Sequence, residues 1–163
     1  MIRVDIKGDI NDVVRKIGDA PRKMEPSIVS ALNRTMSQVN TRFRRDISSH
    51  LGIPQKHIKG RLKQIKATYS RLYATLIALT AGIPYIRLKR SAWNHIDGAF
   101  VQTMPKSGHK GVFKRRGKPR LPIDEQRLEI EPVADRTIRR IMASFAPEQF
   151  RQRLEHEIRR RLK

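Results

Sequence analysis

The sequence predicts an α+β protein: a long amphipathic helix packed on a small antiparallel sheet with a basic hairpin, followed by C-terminal helices. Three observations predict it. Apolar residues recur every three or four positions from Ile28 to Ile47, β-branched and aromatic residues cluster between 68 and 115 around glycine-bearing turns, and helical spacing returns after Pro132. With 163 residues the chain is long enough to bury roughly 70% of its unfolded surface in one core. We read 1–163 as a single domain with a basic middle segment, 51–122, and a C-terminal helical segment, 132–163.

The opening run Met1-Ile2-Arg3-Val4-Asp5-Ile6 alternates charged with apolar residues and predicts a short strand. It lacks the apolar core of a secretory signal, so a cytoplasmic product is expected. Residues 9–17 read as a short helix, and Pro21 and Pro26 punctuate the approach to the long one, expected over about 26–50. Its stripe is Ile28, Leu32, Met36, Val39, Phe43 and Ile47, and Gly52, just after Leu51, can take the left-handed C-terminal position. Arg34, Arg42, Arg44 and Arg45 project from the other faces, as solvated residues do.

After Ile53-Pro54, residues 55–66 set Lys56, Lys59, Arg61, Lys63 and Lys66 around Ile58, Leu62 and Ile65. That spacing predicts a short basic amphipathic helix, able to lie against nucleic acid or an acidic protein and too poor in apolar anchors to favour a membrane. Tyr69, Leu72, Tyr73, Leu76, Ile77 and Leu79, with threonines among them, predict a strand over 68–80, and a second is expected over 83–89. Runs 100–104 and 112–115 flank 105–111 as a hairpin with a glycine-bearing basic tip. Arg116-Gly117-Lys118-Pro119-Arg120 has nothing apolar to bury and is expected to be exposed. Pro132 opens a helix carrying Val133, Ile138, Ile141, Met142 and Phe145. Pro147 is expected to restart the chain in another, with Phe150, Leu154, Ile158 and Leu162, whose final arginines complement the helix dipole.

Charge is the strongest functional signal. The chain has 36 Lys+Arg against 15 Asp+Glu, a net +21, beyond the magnitude of about 2–8 usual for a small soluble domain. Segment 51–122 holds 16 Lys and Arg against one acid, whereas 1–50 carries +4 and 123–163 carries +2. Such a surface requires an anionic neighbour. The candidate binding residues are Lys106, Lys110, Lys114, Arg115, Arg116, Lys118 and Arg120 of the hairpin, joined by Lys56, Lys59, Arg61, Lys63 and Lys66. Contact with the phosphate backbone is expected, sequence-independent and salt-sensitive. Aromatic content of 6% argues against a base-stacking platform.

Several chemistries find no support. There is no cysteine, which excludes disulfides and thiolate chemistry. Asp97 is the lone acid of the basic segment, and Asp124, Glu125, Glu129 and Glu131 are expected to neutralise nearby arginines rather than gather a metal. The five histidines lack ligand spacing, Pro119 stands where a phosphate loop needs Ser or Thr, and no nucleophile elbow is present. No enzyme, metal or cofactor is expected. The longest apolar stretch, 72–83, is interrupted by Thr75, Thr80 and Gly82 and is too short to span a bilayer.

Pro84-x-Ile86-x-Leu88, then Gly98-Ala99-Phe100-Val101-Gln102, a basic hairpin, Arg120-x-Pro122-Ile123-Asp124 and a terminal amphipathic helix after Pro132 form a pattern, preceded by Ala31-Leu32-Asn33-Arg34. Over most of the chain this resembles the minor tail protein Z family, the tail-completion proteins of long-tailed bacteriophages. The resemblance implies a structural protein at the head-proximal end of the tail in the virion, made in the host cytoplasm and acting in head–tail joining and DNA passage. Its implied partners are other tail and neck proteins, phage DNA, and copies of itself in a hexameric ring. Copies of a +21 chain repel one another unless DNA and acidic neighbours offset the charge. The charge alone equally suits a stand-alone, sequence-independent nucleic-acid-binding protein, ribosome-associated or architectural. A nuclease would instead need the acids at 124–131.

Overall fold

The six apolar residues that define the long stripe, Ile28, Leu32, Met36, Val39, Phe43 and Ile47, are all buried, each contributing about 1.5–3 kcal/mol by leaving water. They lie on helix α1, Pro21–Leu51, in a computed structural model that describes residues 1–7 and 21–161, without the side chains of 21–23. The helix expected over 9–17, with Leu162 and Lys163, lies outside the described residues. Helix α1 begins five residues earlier than expected and runs through Pro26, which sits in its second turn. It ends as expected: Gly52 takes φ +61°, a left-handed cap that a side chain would strain.

The chain falls into two compact units, Met1–Leu79 with Pro132–Lys163, and Thr80–Glu131. Charge divides the sequence at 50/51 and 122/123. The fold places its boundaries elsewhere, so residues 51–79 of the basic segment belong to the first unit.

In that unit three antiparallel strands, β1 (Ile2–Lys7), β2 (Leu62–Ile65) and β3 (Tyr73–Ala78), form a sheet of order β1-β3-β2. Register pairs Ile6 with Ala74, Val4 with Leu76, and Gln64 with Leu76. Alternation puts Ala74, Leu76 and Ala78, all buried, on one face. Gln64 shares that face and donates to Ser37 Oγ of α1 at 3.4 Å, so it is the face that meets the helix. Buried Thr75 points the other way and donates to Asp5 Oδ1 at 2.6 Å.

The basic amphipathic helix expected over 55–66 does not form. A single helical turn, α2 (Lys56–Lys59), buries Ile58 and stops at Gly60, and β2 follows. Lys56 and Lys59 therefore lie on α2, Arg61 on the connection, Lys63 on an edge strand and Lys66 just beyond it. Pairing with β3 satisfies the backbone that a longer helix would have satisfied internally, and a lysine on an edge strand discourages addition of another strand. Thr68 and Arg71 exchange backbone hydrogen bonds at 2.9 and 3.0 Å, which delays the expected strand until Tyr73.

In the second unit, β4 (Ile83–Pro84) pairs with β8 (Arg127–Leu128), and β5 (Ala99–Thr103), β6 (Lys110–Arg115) and β7 (Ile123–Glu125) form an antiparallel sheet of order β5-β6-β7. The hairpin is as expected, but the strand foreseen over 83–89 is cut to two residues. Pro84 has no N–H for a ladder, and the chain turns into a 3₁₀ segment, Tyr85–Arg87, that packs on β6.

Back in the first unit, helix α3 (Glu131–Arg140) opens at Pro132 as expected. Pro147 does not restart the chain. Helical bonding continues through a π segment, Ile141–Phe145, into α4 (Ala146–Arg161), with the Ala146 N–H on the Ile141 carbonyl. The wider turn leaves room for a proline that would otherwise clash with the preceding turn. Phe150 and Leu154 of α4 are buried, and α4 packs on α1, which thus contacts both the sheet and the C-terminal helix.

Candidate nucleic-acid interface

The hairpin is built around β6, whose Val112 and Phe113 are buried while its flanking cations are exposed. Register pairs Lys110 with Thr103, Val112 with Val101 and Lys114 with Ala99, so Lys110 and Lys114 share one face. Arg115 points to the other, its guanidinium 5.9 Å from the Phe100 ring centroid. Across the tip, the Met104 N–H bonds to the His109 carbonyl and the Gly108 N–H to the Met104 carbonyl, both at 2.8 Å, with Gly108 at φ +64°. That conformation is open to glycine and strained for most side chains. Lys106 stands exposed on this turn, and residues 116–120 are exposed throughout, as their composition predicts.

Carboxylates collect on β7 and neutralise part of the cluster. Asp124 accepts two hydrogen bonds from Arg116, at 2.6 and 3.0 Å, and that pairing holds its carboxyl below the ordinary value. Glu125, whose side chain is 14% exposed, is pushed up by burial. Hydrogen bonds from Arg127 at 2.6 and 2.9 Å, with the His109 ring at 2.9 Å, outweigh this and leave it below its usual range. Asp124 and Glu125, two of the four acids expected to neutralise arginines, pair with Arg116 and Arg127. Among the described residues, Lys106, Lys110, Lys114, Arg115, Lys118 and Arg120 meet no carboxylate within 4 Å. Their charge is directed outward from both faces and the tip, a geometry suited to phosphates and not to a row of base edges.

The five candidates of 55–66 lie on the first unit. Residues 55–67 run beside α1: Asn33 donates to the Ala67 carbonyl at 3.1 Å and accepts from its N–H at 2.8 Å, and Arg44 donates to Gln55 Oε1 at 3.1 Å. Lys56, Lys59 and Lys63 are exposed. The first unit carries 25 Lys and Arg against 10 acids and the second 11 against 5, so more of the net charge belongs to the unit without the hairpin than the sequence suggested.

The arginines of α1 are the residues that sequence reasoning undervalued. Arg34 reaches Glu157 at 2.8 Å, a wholly buried carboxylate of α4 that Arg160 approaches at 3.2 Å. Arg42 lies over the Phe145 ring, 5.1 Å from its centroid. Arg42 and Arg45 line one open groove with Ser37, Gln38, Thr41 and Phe145. Among the described residues no three His, Asp or Glu side chains are gathered where a metal could sit, and no helix is long and apolar enough to cross a membrane. These features define an α+β protein with a cationic surface on each unit. No protein family, curated protein or solved structure matches the chain.

Proposed function

We propose that this chain is a structural, non-catalytic virion protein of a long-tailed phage, completing the head-proximal end of the tail and contributing to the neck, head–tail joining and DNA passage. It acts as a homo-oligomeric ring of six copies, with other tail and neck proteins and the backbone of phage DNA as partners. The observation that carries the anionic-partner part of this reading is the hairpin, where six exposed cations have no carboxylate within 4 Å among the described residues, while Asp124 and Glu125 take up Arg116 and Arg127. Unpaired surface cations favour a partner that supplies regularly spaced negative charge. The tail assignment draws on the sequence pattern around Pro84, Gly98-Ala99-Phe100-Val101-Gln102 and Arg120-x-Pro122-Ile123-Asp124.

Light scattering tests it: the mass of the purified chain alone, with short duplex DNA, and with tail tubes, across a salt series. A ring, or a monomer that assembles only with tail components, is the expected result. A chain that stays monomeric, binds DNA tightly at physiological salt and ignores tail tubes is instead a stand-alone nucleic-acid-binding module.

A further inference from the structure

The open groove on α1, about 380 Å³ in volume, is lined by Ser37, Gln38, Thr41, Arg42, Arg45 and Phe145. Ser37, Thr41 and Arg45 succeed one another at four-residue spacing and form one ridge of the helix. The first two are short, and their hydroxyls bond back to the Asn33 and Ser37 carbonyls at 3.0 Å each, so the floor stays low and polar. The cations around it are oriented, and their charge is only partly offset. Arg42 lies against the Phe145 ring and comes only within 3.6 Å of Asp46, whose nearer partner is Arg140 at 3.1 Å. Arg44 is held by a neutral amide oxygen, and among the described residues Arg45 meets no carboxylate. An aromatic face and an amide fix a guanidinium in place without cancelling it. Beside the ridge runs β2, reached through Gln64 and Ser37, within a stretch from 47 to 96 that contains no acid.

We propose that this groove is a second phosphate-binding site, taking the backbone of a nucleic-acid strand through Arg42 and Arg45. A guanidinium fork matches phosphate oxygens in bidentate fashion. Protein partners bind through a desolvated apolar centre, whereas the one apolar side chain lining this groove, Phe145, is already faced by Arg42. Nucleic-acid interfaces are polar and cationic, as this groove is. The inference rests on the nucleic-acid part of the reading above but on different residues, in the other unit.

The test is the salt dependence of affinity of the full chain for a short DNA duplex, read by fluorescence anisotropy. Four proteins are compared: the native chain, R42S/R45S, the hairpin variant K114S/R115S/R116S/K118S, and the combination. With a slope of about 0.9 per phosphate neutralised, R42S/R45S is expected to flatten the dependence of log K on log salt by about 2, in the native and the hairpin-neutralised backgrounds alike. Arg45→Ser alone, which breaks no hydrogen bond or ion pair among the described residues, is expected to give about half of that and guards against misfolding of the double variant. A slope unchanged by these substitutions overturns the proposal. So does polyglutamate that displaces the duplex from the hairpin-neutralised chain at equal charge concentration, since the groove would then be a site for acidic protein. Failure of the hairpin reading shows separately, as an unchanged slope in the hairpin variant alone.

Discussion

The two units differ in how they use side chains. The first buries a stripe of α1 against both a sheet and α4, and 20 of the 25 buried apolar residues among those described belong to it. The second is made of strands two to six residues long and buries Ile83, Tyr85, Val112, Phe113 and Ile130. The ion pairs at β7, Arg116 with Asp124 and Arg127 with Glu125, involve half-exposed arginines and add little to that core. The difference teaches that stability and exposed charge are concentrated in different places: substitutions in the stripe should act on folding, and those on the hairpin on binding.

The largest test of that division is Phe43→Ala. Phe43 is 1% exposed, and its truncation is expected to cost about 3–5 kcal/mol in denaturant unfolding. An unaffected midpoint would mean the stripe is not the core. Next comes the buried carboxylate. Replacing Arg34 and Arg160 together by Ala leaves Glu157 without a cation. A loss of about 1–3 kcal/mol is expected, held below the usual cost for a buried pair because both arginines reach solvent; Glu157→Gln in the same background should recover part of it. Asn33→Ala removes both hydrogen bonds to Ala67 and is expected to cost about 1–2 kcal/mol, lowering the melting temperature without changing DNA affinity at low salt.

The smallest effect is a pH dependence in the second unit. Glu125 has a depressed folded value, so its ionised form stabilises the fold. That contribution is fully present above the unfolded carboxyl value of about 4.3 and is lost as pH falls through the lower folded one. Protection against amide exchange on β6 and β7, taken relative to the intrinsic exchange rate at each pH, should therefore fall on acidification in the native chain more than in Glu125→Gln.

These contrasts also mark what was legible in the sequence. The α1 stripe was readable because burial repeats with the helix, and the hairpin because a basic, glycine-bearing tip separates two β-rich arms. Residues 55–66 were misread since Ile58, Leu62 and Ile65 keep helical spacing, yet Gly60 and pairing with β3 divide them between a helical turn and a strand. Pro147 signals a break, but a change in hydrogen-bond register is invisible in side-chain spacing, so the π segment escaped notice. The α1 groove depends on Phe145 returning to Arg42 across 103 positions, a contact no local pattern carries. The Asn33 clamp on Ala67 is equally non-local.

The central claim is that the hairpin binds and the stripe stabilises. The most direct measurement is a paired one on K114S/R115S/R116S/K118S, of salt-dependent DNA affinity and of melting temperature. Arg116, already held by Asp124, should contribute least, so the account predicts a slope flattened by about 3 with a melting temperature within a few degrees of the native chain. A native slope, or a slope lost only together with the fold, would contradict it.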